Sequence, residues 1–215
     1  MKKSLVICRG KSVTRLDQLL KKENNFDTCF LVNEWSKELV TYQNLRSFLK
    51  NQKEKIHVVN REVKSLFSKE DYREINFNHV LLNVREPEYN QSNIKFYLDS
   101  IDQNSKFLSE KMVPVSKTGA GGFPSTGVLA VINAAVVNNS DTVYVIGLDF
   151  FEDDYFSHHS FSMKPEVLDY QKKKGIIMKE YLKNTISKFP NKQFIFYTNS
   201  SFNPGLKNVS CYPKN

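Results

Sequence analysis

Residues 119–149 read GAGGFPSTGVLAVINAAVVNNSDTVYVIGLD. A glycine-rich loop leads into Ser125 and Thr126, the apolar run Val128–Val137 predicts a helix, and Thr142–Ile146 predicts a strand. Backbone that lacks Cβ atoms can approach a phosphate closely, and the first amides of a helix are donors at the positive end of its dipole. Ser125 or Thr126 can cap this helix or bind an anion directly. The sequence therefore offers an anion cradle, with an ordinary glycine-rich connector as the alternative.

The loop matches neither of the two common phosphate-binding motifs. The Walker pattern G-x-x-x-x-G-K-[ST] comes nearest at Gly10-Lys11-Ser12, but Leu5 stands where its first glycine belongs. No G-x-G-x-x-G opens a helix after a strand, so the dinucleotide-binding fingerprint is missing as well. Any phosphate site in this chain is of another kind.

Strand-like and helix-like segments alternate along most of the chain. The predicted strands are Ser4–Cys8, Thr28–Val32, Ile56–Val59, His79–Leu82, Val113–Ser116, Thr142–Ile146 and Gln193–Tyr197. The predicted helices are Val13–Lys22, Ser36–Lys50, Arg61–Phe67, Ile94–Lys111, Gly127–Val137 and Pro165–Lys188. This alternation predicts βαβ units and a Rossmann-like α/β domain with a mainly parallel sheet, whose ligands bind beyond the carboxyl ends of the strands.

The length of 215 residues fits a single domain. We place the Rossmann-like domain at residues 1–199, with residues 150–164 as a short lid or active-site loop. Residues 200–215 are expected to form an irregular tail, because Pro204, Gly205 and Pro213 interrupt them.

The formal net charge of +8 favours an anionic partner such as a nucleotide, an acidic glycan or a membrane surface. Basic residues are scattered, as in Lys50–Lys55 and Lys172–Lys174, so no specific nucleic-acid surface is predicted. No apolar run is long enough to span a bilayer. Three widely spaced cysteines fit reduced thiols in the cytoplasm, and no histidine–cysteine cluster suggests a metal site.

Polar residues follow several of the predicted strands. They are Arg9, Gly10, Lys11, Ser12, Asn33, Asn60, Asn83, Arg85 and Asp149. An amide offers both a donor and an acceptor, which suits ribose hydroxyls and the edge of a base. Asp149 can orient a ribose or sugar hydroxyl, or it can cap a turn. Asparagines are also ordinary turn residues, so a structural role stays open for each of them.

Residues 152–159 carry groups that are suited to acid–base chemistry. His158 and His159 titrate near neutral pH and can take a proton from a sugar hydroxyl, unless they are simply loop residues. The hydroxyl of Tyr155 can donate to a leaving phosphate, or the ring can pack against the core. Glu152–Asp154 could hold a divalent cation with a diphosphate, but a solvated acidic loop is the favoured interpretation.

Together these motifs resemble those of the CMP-sialic-acid-dependent sialyltransferases. Residues 124–129, PSTGVL, and residues 143–147, VYVIG, are similar to the small sialyl motif of the animal enzymes. Residues 155–159, YFSHH, resemble the short histidine–aromatic motif of the same enzymes. The resemblance follows the order of the chain and is concentrated in residues 123–159.

The N-terminal segment is similar to that of the small bacterial lipooligosaccharide sialyltransferases. The similarity covers residues 1–12, Asn33, Asn60 and the residues GLDF at 147–150. It implies a single Rossmann-type, GT-A-variant domain and an enzyme of the glycosyltransferase class. The implied reaction moves a sialic-acid-type sugar from its CMP-activated donor to a hydroxyl of a glycan or lipid-linked glycan. It proceeds with inversion and needs no metal or other cofactor, while a homo-oligomer and an association with the inner face of the membrane stay open.

The resemblance also implies roles for single residues. Carried over by position, the CMP site would consist of Gly10, Asn33, Asn60, Ser125, Thr126, Gly127 and Asp149, with Arg9 and Ser12 in the same loop as Gly10. Tyr155 would meet the phosphate. His159 would be the general base, with His158 as the reserve.

The chain departs from the bacterial pattern in three respects. Arg9 stands in place of an asparagine, although its cationic side chain could still meet phosphate. Phe151 replaces a tyrosine that binds phosphate in that pattern, and the segment from Asp149 to the histidines is shorter, so acceptor recognition must differ. Two other functions therefore stay open. One is a metal-dependent transferase that uses a UDP- or GDP-sugar through Glu152–Asp154, and the other is a nucleotide- or glycan-binding module without turnover.

Overall fold

The structure, a computed structural model, describes residues 1–33, 35, 43–60, 74–83, 106–107, 125–152 and 165–213. The strand expected at Val113–Ser116 and the helix expected at Arg61–Phe67 lie outside these residues. Within them, no helix is long and apolar enough to cross a membrane.

The described residues form eight strands and four α-helices. The strands are β1 (Lys3–Ile7), β2 (Thr28–Val32), β3 (Glu54–Asn60), β4 (His79–Asn83), β5 (Lys106–Phe107), β6 (Thr142–Ile146), β7 (Gln193–Tyr197) and β8 (Val209–Tyr212). The α-helices are α1 (Leu16–Lys22), α2 (Gln43–Asn51), α3 (Thr126–Val136) and α4 (Pro165–Ile186). A short 3₁₀ helix, Lys11–Arg15, leads directly into α1.

The strands form one sheet in the order β5-β4-β3-β2-β1-β6-β7-β8, and every neighbouring pair is parallel. The register places Ile7 of β1 beside Leu31 of β2 on one side and Ile146 of β6 on the other. Helices flank this parallel sheet, which confirms the predicted α/β class and is compatible with a Rossmann-like domain.

Three of the predicted strands, β2, β6 and β7, have the expected bounds. Two expectations are wrong. Residues 200–215 are not wholly irregular, because Val209–Tyr212 add an eighth strand to the sheet beside β7. The helix expected at Ile94–Lys111 is wrong at Lys106–Phe107, since these two residues pair with His79 and Val80 as strand β5.

The hydrophobic core lies on both faces of the sheet. Val6, Phe30 and Val58 face α3 and α4, and their alternating neighbours Ile7 and Leu31 face α1 and α2. Helix α3 is buried from Thr126 to Ala135, which explains why its sequence is apolar on all sides rather than striped. The sheet and its two helical layers thereby fix the positions of the strand ends.

Substitution of Gly147, with Gly205 as the reference, tests how tightly the ends of β1 and β6 pack. Both have left-handed backbone, with φ of 77° and 69°, but a Cβ on Gly147 would lie 2.0 Å from the Cys8 carbonyl oxygen, whereas one on Gly205 would meet nothing within 4 Å. We expect Gly205→Ala to lower the free energy of unfolding by about 1–2 kcal/mol, the cost of the backbone conformation alone. Gly147→Ala adds a backbone clash and should cost about 3 kcal/mol or more.

Urea denaturation of the two variants measures this difference directly. Equal losses of stability would show that the contact between Gly147 and Cys8 does not constrain the sheet.

Candidate functional site at the sheet switch point

The strand order reverses between β1 and β6. Strands β2 to β5 continue the sheet on one side of this pair, and β7 and β8 continue it on the other. In open α/β sheets, ligands bind in the crevice beyond the carboxyl ends of the two strands at such a point. The loops that leave β1 and β6, residues 8–12 and 147–152, therefore border the candidate site.

The loop after β1 is held tightly against the end of β6. The Cys8 amide donates to the Ile146 carbonyl (2.8 Å), and the Gly10 amide donates to the Gly147 carbonyl (2.7 Å). The Gly147 amide in turn donates to Ser12 Oγ (3.0 Å). Because the Gly10 amide is engaged within the protein, Gly10 forms the wall of the site and does not offer that amide to a ligand.

The Asp149 carboxylate is the centre of this arrangement. It is 3% exposed, accepts three hydrogen bonds from the residues that follow β1 and β7, and shares the proton of a fourth donor. The amide of Ser12 donates to Oδ2 (2.8 Å) and its hydroxyl donates to Oδ1 (2.6 Å). On the other side, the Asn199 amide donates to Oδ1 (2.9 Å). The Thr198 hydroxyl lies 3.1 Å from Oδ1 and 2.9 Å from the Leu148 carbonyl, so its single proton is shared between these two acceptors. The sequence allows Asp149 either to orient a ribose or sugar hydroxyl or to cap a turn. In the structure its carboxylate links the residues that follow β1 and β7, Ser12 among them, a role that neither prediction includes.

Thr198 and Asn199 were not among the residues singled out from the sequence. They follow β7 directly, in the same way that Asn33 follows β2 and Asp149 follows β6 within its loop. The rule that selected polar residues at strand ends therefore would have found them if it had been applied to the seventh predicted strand.

Close packing brings the start of α3 to the same place. A Cβ on Gly127 would lie 2.9 Å from both Cys8 Sγ and Leu148 Cδ1, so only glycine allows this approach. Ser125 is the N-cap, and its hydroxyl accepts from the Val128 amide (3.4 Å). The helix expected at Gly127–Val137 begins one residue earlier, at Thr126.

Helix α3 runs antiparallel to β1. Its first turn contacts Cys8 beyond the carboxyl end of the strand, while Asn138, just past the other end of the helix, donates to Ser4 Oγ (2.9 Å). The positive end of the helix dipole thus lies at the carboxyl edge of the sheet, beside the switch point. A negative charge is stabilised at such a position.

Asn33 forms a second polar feature at this edge. Its backbone is left-handed (φ 61°), its amide donates to the Val58 carbonyl (2.7 Å), and its carbonyl lies 2.6 Å from His57 Nε2. Because a carbonyl oxygen only accepts, His57 must be the donor through Nε2–H. The side-chain Oδ1 of Asn33 is buried and has no hydrogen-bond partner among the described residues. A buried acceptor without a donor is costly, so this atom suits a ligand that brings an N–H or O–H group.

Several site residues that the sequence predicts lie partly or wholly outside the described residues. Asn60 ends β3 in register with Asn83 of β4, at the carboxyl edge as expected, but its side chain lies outside the described residues. Tyr155, His158 and His159 lie outside them altogether. Arg9 lies in the β1 loop and is half-buried.

Glu152 has a structural role. Its carboxylate pairs with Lys179 of α4 and accepts from the Ser201 amide (2.5 Å) and hydroxyl (3.0 Å). Desolvation opposes ionisation, but the hydrogen bonds from Lys179 and Ser201 outweigh it and lower the pKa of this carboxyl. In the described part of the chain, no three histidine, cysteine, aspartate or glutamate side chains are grouped so that they could hold a metal ion.

The turn that Glu152 clamps is strained. Phe150 and Phe151 both have positive φ, 51° and 63°, which is uncommon for aromatic residues. Gly175 of α4 makes room for this turn, since a Cβ there would lie 2.1 Å from the Phe150 carbonyl oxygen. The clamp therefore fixes the direction in which the chain leaves β6.

His57 makes the stability of this edge depend on pH. Burial lowers its pKa to about 3, and its ring stacks on Phe77 with the ring centroids 5.0 Å apart. The unfolded chain binds a proton at this histidine below its ordinary pKa of 6.5, whereas the folded chain does not until about pH 3. Stability is therefore complete above pH 6.5 and falls as the pH drops below it.

We expect the wild-type protein to lose about 2 kcal/mol more than His57→Gln between pH 7.5 and pH 5.0, because the variant lacks this titration. Glutamine can still donate to the Asn33 carbonyl, so the hydrogen bond itself is kept. Urea unfolding at several pH values gives the two slopes, and parallel slopes would contradict a buried neutral His57.

Comparisons with known proteins add no family to this picture. No family model matches the chain, and a search of the curated proteins gives no match. A proposal about function therefore starts from the arrangement of the described residues and from the motifs in the sequence.

Proposed function

We propose that this protein is a glycosyltransferase that moves a sialic-acid-type sugar from a CMP-activated donor to a hydroxyl of a glycan acceptor. The observation that supports this best is the position of the PSTG motif. Its Ser125 caps α3, and its Gly127 sets the first turn of that helix against Cys8 and Leu148 at the switch point. A motif selected for its resemblance to a nucleotide-sugar site thus lies where an α/β sheet binds such ligands.

In this proposal the phosphate of CMP binds at the start of α3. The helix dipole and the first-turn amides favour a negative charge there. Thr126, the first residue of α3, adds a side-chain hydroxyl. The leaving phosphate needs no proton in order to depart, so amides and hydroxyls are sufficient to stabilise it. By the resemblance, Tyr155 would add a further donor.

The nucleoside would lie towards β2, where Asn33 Oδ1 is buried without a donor. Strand β2 is the neighbour of β1, about 5 Å away, so the phosphate and the nucleoside can span the two positions. The amino group of cytosine or a ribose hydroxyl would supply the missing hydrogen bond. This match gives Asn33 a role in binding rather than in the turn alone.

The chemical step follows from the resemblance. His159 would remove the proton of the acceptor hydroxyl as the bond between the sugar and CMP breaks, with His158 as the reserve. No metal takes part in this mechanism. The rival mechanism through a UDP- or GDP-sugar would use Glu152 as a metal ligand, and the pairing of Glu152 with Lys179 and Ser201 weighs against it.

The cellular location and the acceptor are proposed mainly from the sequence. A cytoplasmic location is supported by the three cysteines, Cys8, Cys29 and Cys211, which are free thiols in the structure. A glycan or lipid-linked glycan as acceptor would bring the enzyme to the inner face of the membrane.

A thermal-shift assay tests the nucleotide site. CMP at about 100 times its Kd should stabilise the protein by about 2.7 kcal/mol, which corresponds to a Tm increase of about 5 °C or more. UMP and GMP should shift the Tm much less, and EDTA should leave the CMP shift unchanged. A shift that is equal for all nucleotides, or that EDTA abolishes, would contradict the proposal.

Asn33→Gly makes the test specific to one atom. Glycine accepts the left-handed backbone but removes Oδ1, so we expect CMP affinity to fall about tenfold, the value of one buried hydrogen bond. Asn139→Gly is the matched control, because Asn139 is also left-handed (φ 49°) and contacts Lys192 at the opposite edge of the sheet. If both variants bind CMP as the wild type does, Asn33 has no part in the site.

A further inference from the structure

A second surface of unusual composition lies at the β8 edge of the sheet. Tyr197 and Tyr212 end β7 and β8, and their rings stack with centroids 5.0 Å apart and an interplanar angle of 23°. The Arg15 guanidinium lies 5.5 Å from the Tyr197 ring, and the Lys22 ammonium lies 5.2 Å from the Tyr212 ring. These four residues are referred to below as the Tyr212 surface.

Of the two tyrosines, Tyr212 faces solvent, whereas Tyr197 is buried (3% exposed) in the core that α1 shares with the sheet. Helices α1 and α2 share their core with β1, β2 and β3, and the connection from β7 to β8 contains no helix within residues 198–208. Among the described residues, the Lys22 side chain lies over the ring of Tyr212. Tyr212 is 42% exposed, one of few large aromatic side chains so exposed among the described residues.

The cations of this surface can bind further partners. One Arg15 N–H group donates to the Tyr212 carbonyl (2.9 Å) and another lies 3.4 Å from Gln18 Oε1, while a guanidinium has five donors. Lys22 is exposed. The nearest carboxylate along the chain, Glu23, is paired with Lys3. The surface is therefore net positive beside an exposed aromatic ring, within a chain of net charge +8.

The Tyr212 surface is on the same edge of the sheet as the candidate nucleotide site. Tyr212 is the last residue of β8, so it lies at the carboxyl edge, and β8 is two strands from β6. At the usual spacing of parallel strands this separation is about 10 Å. The 3₁₀ helix connects the two places, since it begins at Lys11 beside the switch point and ends at Arg15.

We propose that the Tyr212 surface binds an acidic saccharide, as the part of the glycan acceptor that does not react. One face of the Tyr212 ring stacks on Tyr197, and the Lys22 ammonium lies over the ring. The apolar face of a sugar ring would therefore displace Lys22 from Tyr212, and a carboxylate on the saccharide would pair with Lys22 and Arg15. This inference rests on the proposed function for its location, because an acceptor hydroxyl at the switch point leaves the next few sugar rings within reach of β8. The binding itself requires only Tyr212, Arg15 and Lys22, with the buried Tyr197 supporting the Tyr212 ring.

Titration with 3′-sialyllactose and with lactose tests the proposal, because the two saccharides differ in the acidic sugar. We expect the wild-type protein to bind the acidic trisaccharide, and to bind lactose several times more weakly. Lys22→Gln and Tyr212→Ala should each weaken binding of 3′-sialyllactose about two- to fivefold, the usual value of an exposed ion pair or a ring contact. If Tyr212→Ala fails to fold, Lys22→Gln still tests the proposal, because it changes only an exposed side chain.

Matched controls lie on the opposite face of the sheet. Tyr170 of α4 is 60% exposed, and Lys172 is exposed on the same helix. Tyr170→Ala and Lys172→Gln should leave the affinity for 3′-sialyllactose unchanged. Equal binding of lactose and 3′-sialyllactose, the absence of binding, or equal losses in the control variants would overturn the proposal.

Two further measurements separate this proposal from its neighbours. CMP affinity, measured on the same proteins, should be unchanged in Lys22→Gln. If 3′-sialyllactose binds but CMP does not, saccharide binding at the Tyr212 surface is supported and the proposed function is contradicted. If CMP binds but 3′-sialyllactose does not, only saccharide binding at the Tyr212 surface is contradicted. Sedimentation with phosphatidylcholine vesicles containing phosphatidylserine should show no loss on Lys22→Gln, and lipid binding that needs Lys22 without saccharide binding would assign the surface to a membrane instead.

Discussion

The buried Asp149 carboxylate is the interaction on which the candidate site depends. It joins the ends of three neighbouring strands, because Ser12 follows β1, Asp149 follows β6, and Thr198 and Asn199 follow β7. A buried carboxylate is tolerated only when its lone pairs are used. Here two amides and the Ser12 hydroxyl donate to it, and the Thr198 hydroxyl is shared between Asp149 and the Leu148 carbonyl. The backbone adapts around this tie: a Cβ on Gly10 would lie 2.5 Å from Asp149 Oδ2. Packing against Asp149 and against the Gly147 carbonyl is therefore sufficient to require a glycine in the first loop.

This constraint decides which groups remain for a ligand. The amides of Gly10 and Ser12 are bonded within the protein, so the loop after β1 contributes shape rather than amide donors. The groups suited to a nucleotide are found on either side of it, in the first turn of α3 and at Asn33 Oδ1. The contacts of Glu152 with Lys179 and Ser201 hold the turn after β6 against α4 and the residues that follow β7. The anion site and the acceptor surface that we propose would both lie along the carboxyl edge of the sheet.

The sequence predicted what local patterns control. The apolar runs of β2, β6 and β7 gave their bounds, and the alternation of elements gave the parallel α/β class. It did not predict β8, because Val209–Tyr212 is short, follows Pro204 and Gly205, and gains its strand form from pairing with β7. Nor could it choose between the roles open to Asp149, since Ser12 is 137 residues away and Asn199 is 50 residues away. Contacts at such separations are decided by the assembled sheet and leave no mark on a local pattern.

The most direct test of the central claim is to map CMP onto the backbone amides by NMR. In ¹⁵N-labelled protein, addition of CMP should move the amide signals of Ser12, Asn33, Gly127 and Gly147, all at the carboxyl edge of the sheet. The signals of Ser140 and Lys192, at the amino edge, should not move. Perturbations confined to the amino edge, or no perturbation at saturating CMP, would contradict a nucleotide site at the switch point between β1 and β6.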